Sequence, residues 1–515
     1  MSGAAAAGQA AEPVSNRGAI TVAVMLATIM QVLDTTIANV ALPHMQGSLN
    51  AAQDQITWVL TSYIVAAAIM TPVTGWLSDR LGRKNLFLVS VAGFTLASLA
   101  CGIATSLPEM VAYRLFQGLC GAALVPLSQA VLLDINPRER HGQAMALWGA
   151  GIMVAPIIGP TLGGWLTESY NWRWVFLVNL PVGILAFSGI LVFLPKEPTR
   201  ERRFDLFGFA MLSLAIGALQ MMLDRGEQLD WFNSPEIWIE LALTITGAWI
   251  FVVHSLTAKN PFIDIAMFRD RNFSMGLIFI FIIGIVLLAS LALLPPLMQS
   301  LLGYPVITTG LVMAPRGVGT MISMIIVGRL TRVVDARILV FIGLTLTAYS
   351  MHMMAGFSID MSEWPFITSG VVQGVGMGLV FVPLTTLAFA TLPSHYRTDG
   401  TGLFSLVRNV GSSIGISVVS TVLAQMTQVN HAEIGSLLTP FNRNVINHAP
   451  GLLTGDPMTL AQINGEVTRQ AAMIGYLDDF RLMMVICLFA MPIILLLRSP
   501  KHQSAGEAGT HAVME

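Results

Sequence analysis

Charge is scarce in this chain: Asp, Glu, Lys and Arg make up 11% of its 515 residues, whereas 54% are hydrophobic. A soluble domain carries about 25% charged residues because its surface must face water, so most of this surface is built to face something else. Neither sign of charge dominates, at a net −2, which removes support for a nucleic-acid partner or a polybasic membrane anchor. There are three cysteines, Cys101, Cys120 and Cys487, all within apolar runs, where free thiols are expected rather than disulfides or a metal site. The first fifteen residues lack a basic region ahead of a short apolar core, so a cleaved signal peptide is not expected. Walker lysine loops and HExxH are missing, so neither ATP-driven transport by this chain nor HExxH-type metallohydrolase chemistry finds support. His44, His254, His352 and His395 stand alone or at the edges of apolar runs, and no metal or cofactor is expected.

What the chain has is long apolar segments. A helix needs about 20 apolar residues to cross a bilayer core. Segments meeting that test lie near 19–42, 55–77, 85–105, 108–132, 143–167, 173–194, 204–223, 235–256, 273–296, 305–328, 337–357, 365–391, 402–426 and 480–498. The reading is an all-α polytopic membrane protein with fourteen spans. With the N-terminus inside, nineteen of the 27 Lys and Arg fall on the cytoplasmic side, among them Arg80, Arg83, Lys84, Arg138, Arg140 and Arg203. Five fall outside or at the outer edge, and Arg114, Arg316 and Arg408 lie within spans. That bias puts both termini in the cytoplasm.

The chain also resembles itself at a spacing of roughly 255 residues: Gln117-Gly118 and Val125-Pro126-Leu127 return as Gln373-Gly374 and Val382-Pro383-Leu384, and Pro43 is matched by Pro296. The organisation expected is a cytoplasmic tail (1–18), a six-helix bundle (19–194), a linker with two extra spans (195–272), a second six-helix bundle (273–498) and a tail (499–515). Two like bundles suit alternating access around a mid-membrane site. A polar stretch at 427–478, rich in Asn, Gln and Thr, is long for a connector and sits outside as a periplasmic loop; a helical hairpin, a docking place for a periplasmic adaptor and a floppy loop without function are all open readings.

Asp34 is an acid well inside the first span, ~12 Å from its outer end at 1.5 Å per residue. An ionised carboxylate there is costly unless it is paired or protonated part of the time, which is the balance a proton carrier needs. Arg114 lies ~9 Å from the outer end of the fourth span by the same arithmetic, so a pair is geometrically possible. With three buried arginines against that acid, neutral or weakly acidic amphipathic substrates are expected. The candidate cavity residues are Asn39, Gln117, Arg316, Gln373 and Arg408, and the 29 methionines suit an adaptable cavity.

Three motifs carry a family resemblance over nearly the whole chain. Gly75-Trp76-Leu77-Ser78-Asp79-Arg80-Leu81-Gly82-Arg83-Lys84 resembles the cytoplasmic loop signature of the major facilitator superfamily. Gly75, Asp79, Arg80, Gly82 and Arg83 are its gating residues: glycines for the turn, and an acid to cap a helix and bond arginines. Gly159-Pro160-Thr161-Leu162-Gly163-Gly164 is similar to the superfamily's antiporter motif, whose prolines bend the helix and whose glycines admit a neighbour. Pro156, Gly159, Pro160, Gly163 and Gly164 are the residues concerned, and Ala155 departs from the family pattern's glycine. Leu33-Asp34-Thr35-Thr36 through Pro43 resembles the first helix of the fourteen-span drug:proton antiporters. The resemblance implies the major facilitator fold, two six-helix bundles with two inserted helices, and a functional arginine at Arg114. It further implies export of small hydrophobic or amphipathic drugs from a cell inner membrane, driven by protons and no other cofactor, with a periplasmic adaptor (membrane fusion) protein and an outer-membrane channel as partners. The rival readings are a proton-coupled or facilitative transporter of one metabolite, and a membrane-embedded enzyme or sensor, for which no buried catalytic cluster or soluble domain is visible.

Overall fold

A bilayer offers no water to backbone N–H and C=O groups, so apolar runs of this length satisfy them internally as helices. The computed structural model describes residues 16–137, 140–196, 199, 203–331, 333–439 and 456–497. Among them fourteen helices are long and apolar enough to cross a membrane, and no strand is present: this is a multi-pass membrane protein. The helices are α1 Arg17–Ser48, α2 Trp58–Leu81, α3 Arg83–Ile103, α4 Leu107–Ile135, α5 His141–Ser169, α6 Trp174–Phe193 and α7 Leu206–Arg225. They continue as α8 Pro235–Thr257, α9 Arg271–Leu301, α10 Ile307–Leu330, α11 Ala336–Met354, α12 Trp364–Ala390, α13 Arg397–Leu437 and α14 Pro457–Leu496. The tails, through residue 15 and from 498, and residues 440–455 lie outside the described residues.

In the first bundle α1 packs on α5 and α6, α2 on α4, and α3 on α4 and α6; in the second, α9 packs on α12 and α13, α10 and α11 on α12, and α13 on α14. The bundles meet where α5 lies along α10, and where α4 and α2 touch α13. Gly328 of α10 packs against Gly142 and Ala146 of α5. Trp148 of α5 is 1% exposed, stacks on Phe381 of α12 with ring centroids 6.1 Å apart, and donates from Nε1 to Ser128 Oγ at 2.8 Å. We call the membrane face carrying Arg83, Arg140 and Arg203 the basic face.

The inserted pair forms its own hairpin. Asp205 caps α7 by accepting from Gly208 N–H at 2.9 Å. The same carboxylate meets His254 of α8 at 2.9 Å and Phe262 N–H at 3.0 Å, which ties both ends of the pair together on the basic face. α8 packs chiefly on α7, and its Trp238, Ile245, Trp249 and Leu256 are all exposed, as suits a helix surrounded by lipid.

Of the readings open for 427–478, the described residues fit the helical hairpin: residues 427–437 continue α13, and 457–478 begin α14. The extensions pack on each other through His431 and Asn464 at 3.0 Å and through Gly475, which sits against Leu423 and Thr427. Asp456 starts α14 by accepting from Thr459 N–H at 3.0 Å, with Pro457 in the first turn. Hydropathy marks where a helix enters lipid, not where it ends, so polar residues concealed these turns.

Candidate functional site

The α1 face that carries Asp34 turns into the first bundle, where α2, α3, α4 and α6 each bring a polar group to it. Arg114 Nη1 of α4 donates to Asp34 Oδ2 at 2.6 Å, so the pair anticipated from matching depths is formed. Arg114 also donates to Gln117 Oε1 at 2.7 Å and to Val59 O of α2 at 3.0 Å, and its guanidinium lies 4.4 Å from the Tyr63 ring. The other carboxylate oxygen, Asp34 Oδ1, accepts from Gln117 Nε2 at 3.0 Å and Asn179 Nδ2 of α6 at 2.7 Å. Asn179 is held in turn by Ser98 of α3 at 2.9 Å. Asp34, Arg114, Gln117 and Ser98 are all 0% exposed. A carboxylate with an ion pair and two amide donors is satisfied as the ion; a proton placed on it cancels the charge that balances Arg114. Gln117, expected to line the cavity, belongs to this buried cluster instead, because its amide fills the gap between acid and arginine.

The second bundle holds a related cluster without an acid. Gln373 Nε2 of α12 donates to Ser290 Oγ of α9 at 3.0 Å, and Arg316 Nη2 of α10 donates to the same oxygen at 3.0 Å. Ser290 stands to Gln373 as Asp34 stands to Gln117, and Arg316 has no carboxylate partner among the described residues. Arg316 Nη1 and Gln373 Oε1 are buried with no hydrogen-bond partner. Arg408 is half-buried on α13 and Asn39 is exposed on α1; neither joins either cluster.

The basic face is closed by a network that departs from expectation in two ways. The 75–83 segment is barely a loop, because α2 runs through Leu81 and the chain turns at Gly82, whose φ of +80° favours glycine. An acid that the sequence reading did not include, Asp134 at the end of α4, links the bundles through ion pairs with Arg83 of α3 and Arg397 of α13. Beside it Gly75 lies so close to Asp399 of α13 that a Cβ would clash with the carboxylate. Arg80 lies over the Trp76 ring, 5.6 Å from its centroid, and Asp79 sits in the same helical turns. Sequence reasoning passed over Asp134 because it reads as a span edge; its place at an α4 terminus beside basic loops was the available signal.

In α5 the helix hitches at Met153, between 141–152 and 154–169. Pro156 falls in the first turn after the hitch and Pro160 inside the helix. Gly159 faces Thr36 of α1, and a Cβ on Gly163 would sit 3.0 Å from Ile37 Cγ2 and 3.4 Å from the Ile37 backbone. The motif thus lets α1, the helix of Asp34, lie directly on α5, while Ile157 and Thr161 of the same helix face Gly317 and Gly310 of α10. Gly164 is buried beside Gly163. Ala155 is 0% exposed, so the methyl group that replaces the family's glycine is accommodated. A further acid was missed: Asp479 of α14 is 0% exposed, with neither carboxylate oxygen hydrogen-bonded.

Two six-helix bundles with ionisable clusters buried between their helices, and a closable face, define a membrane transporter rather than an enzyme. Residues 24–416 match the family model described as Major Facilitator Superfamily, and the chain belongs to that family. It is 36% identical over 503 residues to "Multidrug export protein EmrB" of Escherichia coli (strain K12), covering 96% of this chain and 97% of that protein. It is also 36% identical over 493 residues to "Fatty acid resistance protein FarB" of Neisseria gonorrhoeae, covering 95% and 97% respectively. Among solved structures, the proton:xylose symporter XylE superposes with a TM-score of 0.59 at 14% identity, over 92% of this chain and 95% of that one.

Proposed function

We propose that this protein is a proton-coupled multidrug exporter that moves hydrophobic or amphipathic compounds out of the cell by alternating access. The observation that carries the reading is the fully buried Asp34–Arg114–Gln117–Asn179 cluster, supported by similarity to proteins named for multidrug export. The basic face is cytoplasmic, as the positive-inside bias requires, and the membrane is the cell inner membrane. A proton from outside reaches Asp34, cancels its charge and leaves Arg114 to its neutral partners, which weakens the cluster that binds α1 to α2, α4 and α6. The bundles then rock, the Asp134 bridge to Arg397 parts, and the cavity opens to the cytoplasm. One charge falling through 100 mV supplies about 2.3 kcal/mol, enough for a ~50-fold gradient of substrate at about 1.4 kcal/mol per decade.

Arg316 supports a preference within that range. A buried guanidinium with a free N–H and no carboxylate partner among the described residues fits a carboxylate or other weakly acidic head group. The relative named for fatty-acid resistance agrees with such substrates. The helical extensions of α13 and α14 stand on the outer side as the docking element for a periplasmic adaptor protein, which leads on to an outer-membrane channel.

The test is efflux of a fluorescent, weakly acidic uncoupler from proteoliposomes under an imposed pH gradient. Drug movement opposite to proton flow, reversing when the gradient is reversed, supports antiport. Movement at the same rate without a gradient, or in the direction of proton flow, overturns it in favour of a facilitator or a symporter.

A further inference from the structure

The inserted helix α7 does more than decorate the bundles. Near the basic face α2 and α13 meet directly, at Gly75 with Asp399 and at Thr71 with Gly402. Towards the other face their polar side chains reach α7 instead. Thr61 of α2 hydrogen-bonds Asp224, and Ser413 of α13 donates to Gln220 Oε1 at 2.8 Å. At 1.5 Å per residue, Thr61 and Asp224 both lie within ~5 Å of the outer ends of their helices. Between the three helices is a cleft of about 140 Å³.

From these features we propose that the cleft binds the ammonium head of an amphipathic amine, a site beyond the efflux reading and independent of it. Its polar side holds Asp224 and Glu227 at the mouth, with Gln220 and Ser417 beneath. No lysine or arginine among the described residues lines it: Arg225 is engaged by Glu236 and lies 5.9 Å from the Trp58 ring. Ser417 supplies a separate sign of a missing partner: the residue lines the cleft and is 7% exposed, and its buried hydroxyl has no hydrogen bond among the described residues. Thr61 takes one oxygen of Asp224, which leaves the other, the Glu227 carboxylate and the Ser417 hydroxyl as acceptors. A primary ammonium carries three donors, and carboxylates accept charge-assisted bonds from it. Ile64 and Leu223 make the apolar wall along which a hydrocarbon tail lies. Two sources offer this chemistry at the outer leaflet: a free long-chain amine and the ethanolamine head of a phospholipid.

The full-length protein in phosphatidylcholine nanodiscs is titrated with dodecylamine, with dodecanol as the uncharged reference, and labelled with a diazirine-bearing dodecylamine for peptide mapping. Expected are labels on residues 220–227 or 413–420 and an affinity loss on the order of tenfold in Glu227→Gln, at the strength of a charged hydrogen bond. Ser417→Ala is expected to weaken the amine several-fold, with dodecanol unchanged in both. Glu227 lies beyond the last residue of α7 and Ser417 lacks a partner, so neither variant removes a folding contact. Labels confined elsewhere, or unchanged amine affinity in both variants, overturn the proposal. Repeating the titration in phosphatidylethanolamine nanodiscs assigns the source: competition identifies the lipid head group as occupant, and undiminished binding identifies the free amine. Binding is read without transport, so the result stands or falls apart from proton-coupled efflux.

Discussion

Replacing Asp34 with Asn removes one charge from a site where water cannot compensate. Arg114 then remains 0% exposed with neutral partners among the described residues, the Gln117 and Val59 oxygens and the Tyr63 and Phe176 rings. Asn also brings an N–H₂ where the carboxylate accepted three bonds, so a donor is set against Arg114, Gln117 or Asn179 whichever way the amide turns. Removing one partner of a buried pair costs about 3–5 kcal/mol, or roughly two to three and a half decades at about 1.4 kcal/mol per decade. The expected result is a lower unfolding temperature for Asp34→Asn and loss of gradient-driven efflux from proteoliposomes. Adding Arg114→Met removes the stranded charge, so the double variant is expected to unfold at a higher temperature than Asp34→Asn alone, with efflux still uncoupled. The coupling between the two sites is expected near the top of the range of about 0.5–3 kcal/mol seen for residues in contact. If Asp34→Asn unfolds at the wild-type temperature and pumps at the wild-type rate, the cluster is neither an energetic unit nor the coupling site, and the reasoning fails.

Four further outcomes follow from the geometry. Asp134→Asn releases Arg83 and Arg397 together, so spin labels placed across the basic face of α2 and α13 should report a larger inward-open population; an unchanged distance distribution counts against the bridge as a latch. Arg316→Gln should slow efflux of a carboxylate amphiphile such as dodecanoate by about tenfold, at the strength of one charged hydrogen bond, and leave an uncharged drug unaffected, which paired transport assays would read. Gly163→Val forces branched carbon onto the Ile37 backbone and should separate α1 from α5, seen as a lowered unfolding temperature and lost transport. Asp479→Leu removes an orphaned buried carboxylate, so thermal unfolding should shift upward by the equivalent of about 1–3 kcal/mol; a downward shift would mean the acid has a partner in the working protein.

The membrane helices were legible because lipid demands long apolar runs, a one-dimensional property. The 204–223 and 235–256 segments formed where hydropathy placed them, each within about two residues. Asp34 and Arg114 were legible as a pair because depth along a helix is a simple count of residues. Asn179 was not, because no spacing relates the start of α6 to the middle of α1. Asp479 was not, and the helical hairpin over 427–478 was only one open reading, because a hydropathy window marks lipid contact and is blind to helix that leaves the membrane.

The sequence alone thus determined the number of spans, their lengths and the scarcity of charge within them, since each depends on the local balance between burying a side chain and hydrating it. Only the tertiary structure decided which charges are neutralised. Asp134 serves both bundles, Arg316 has no acid beside it among the described residues, and α7 bridges α2 and α13 away from the basic face. Those outcomes depend on which helix faces turn toward each other, and that is settled by packing between segments a hundred or more residues apart.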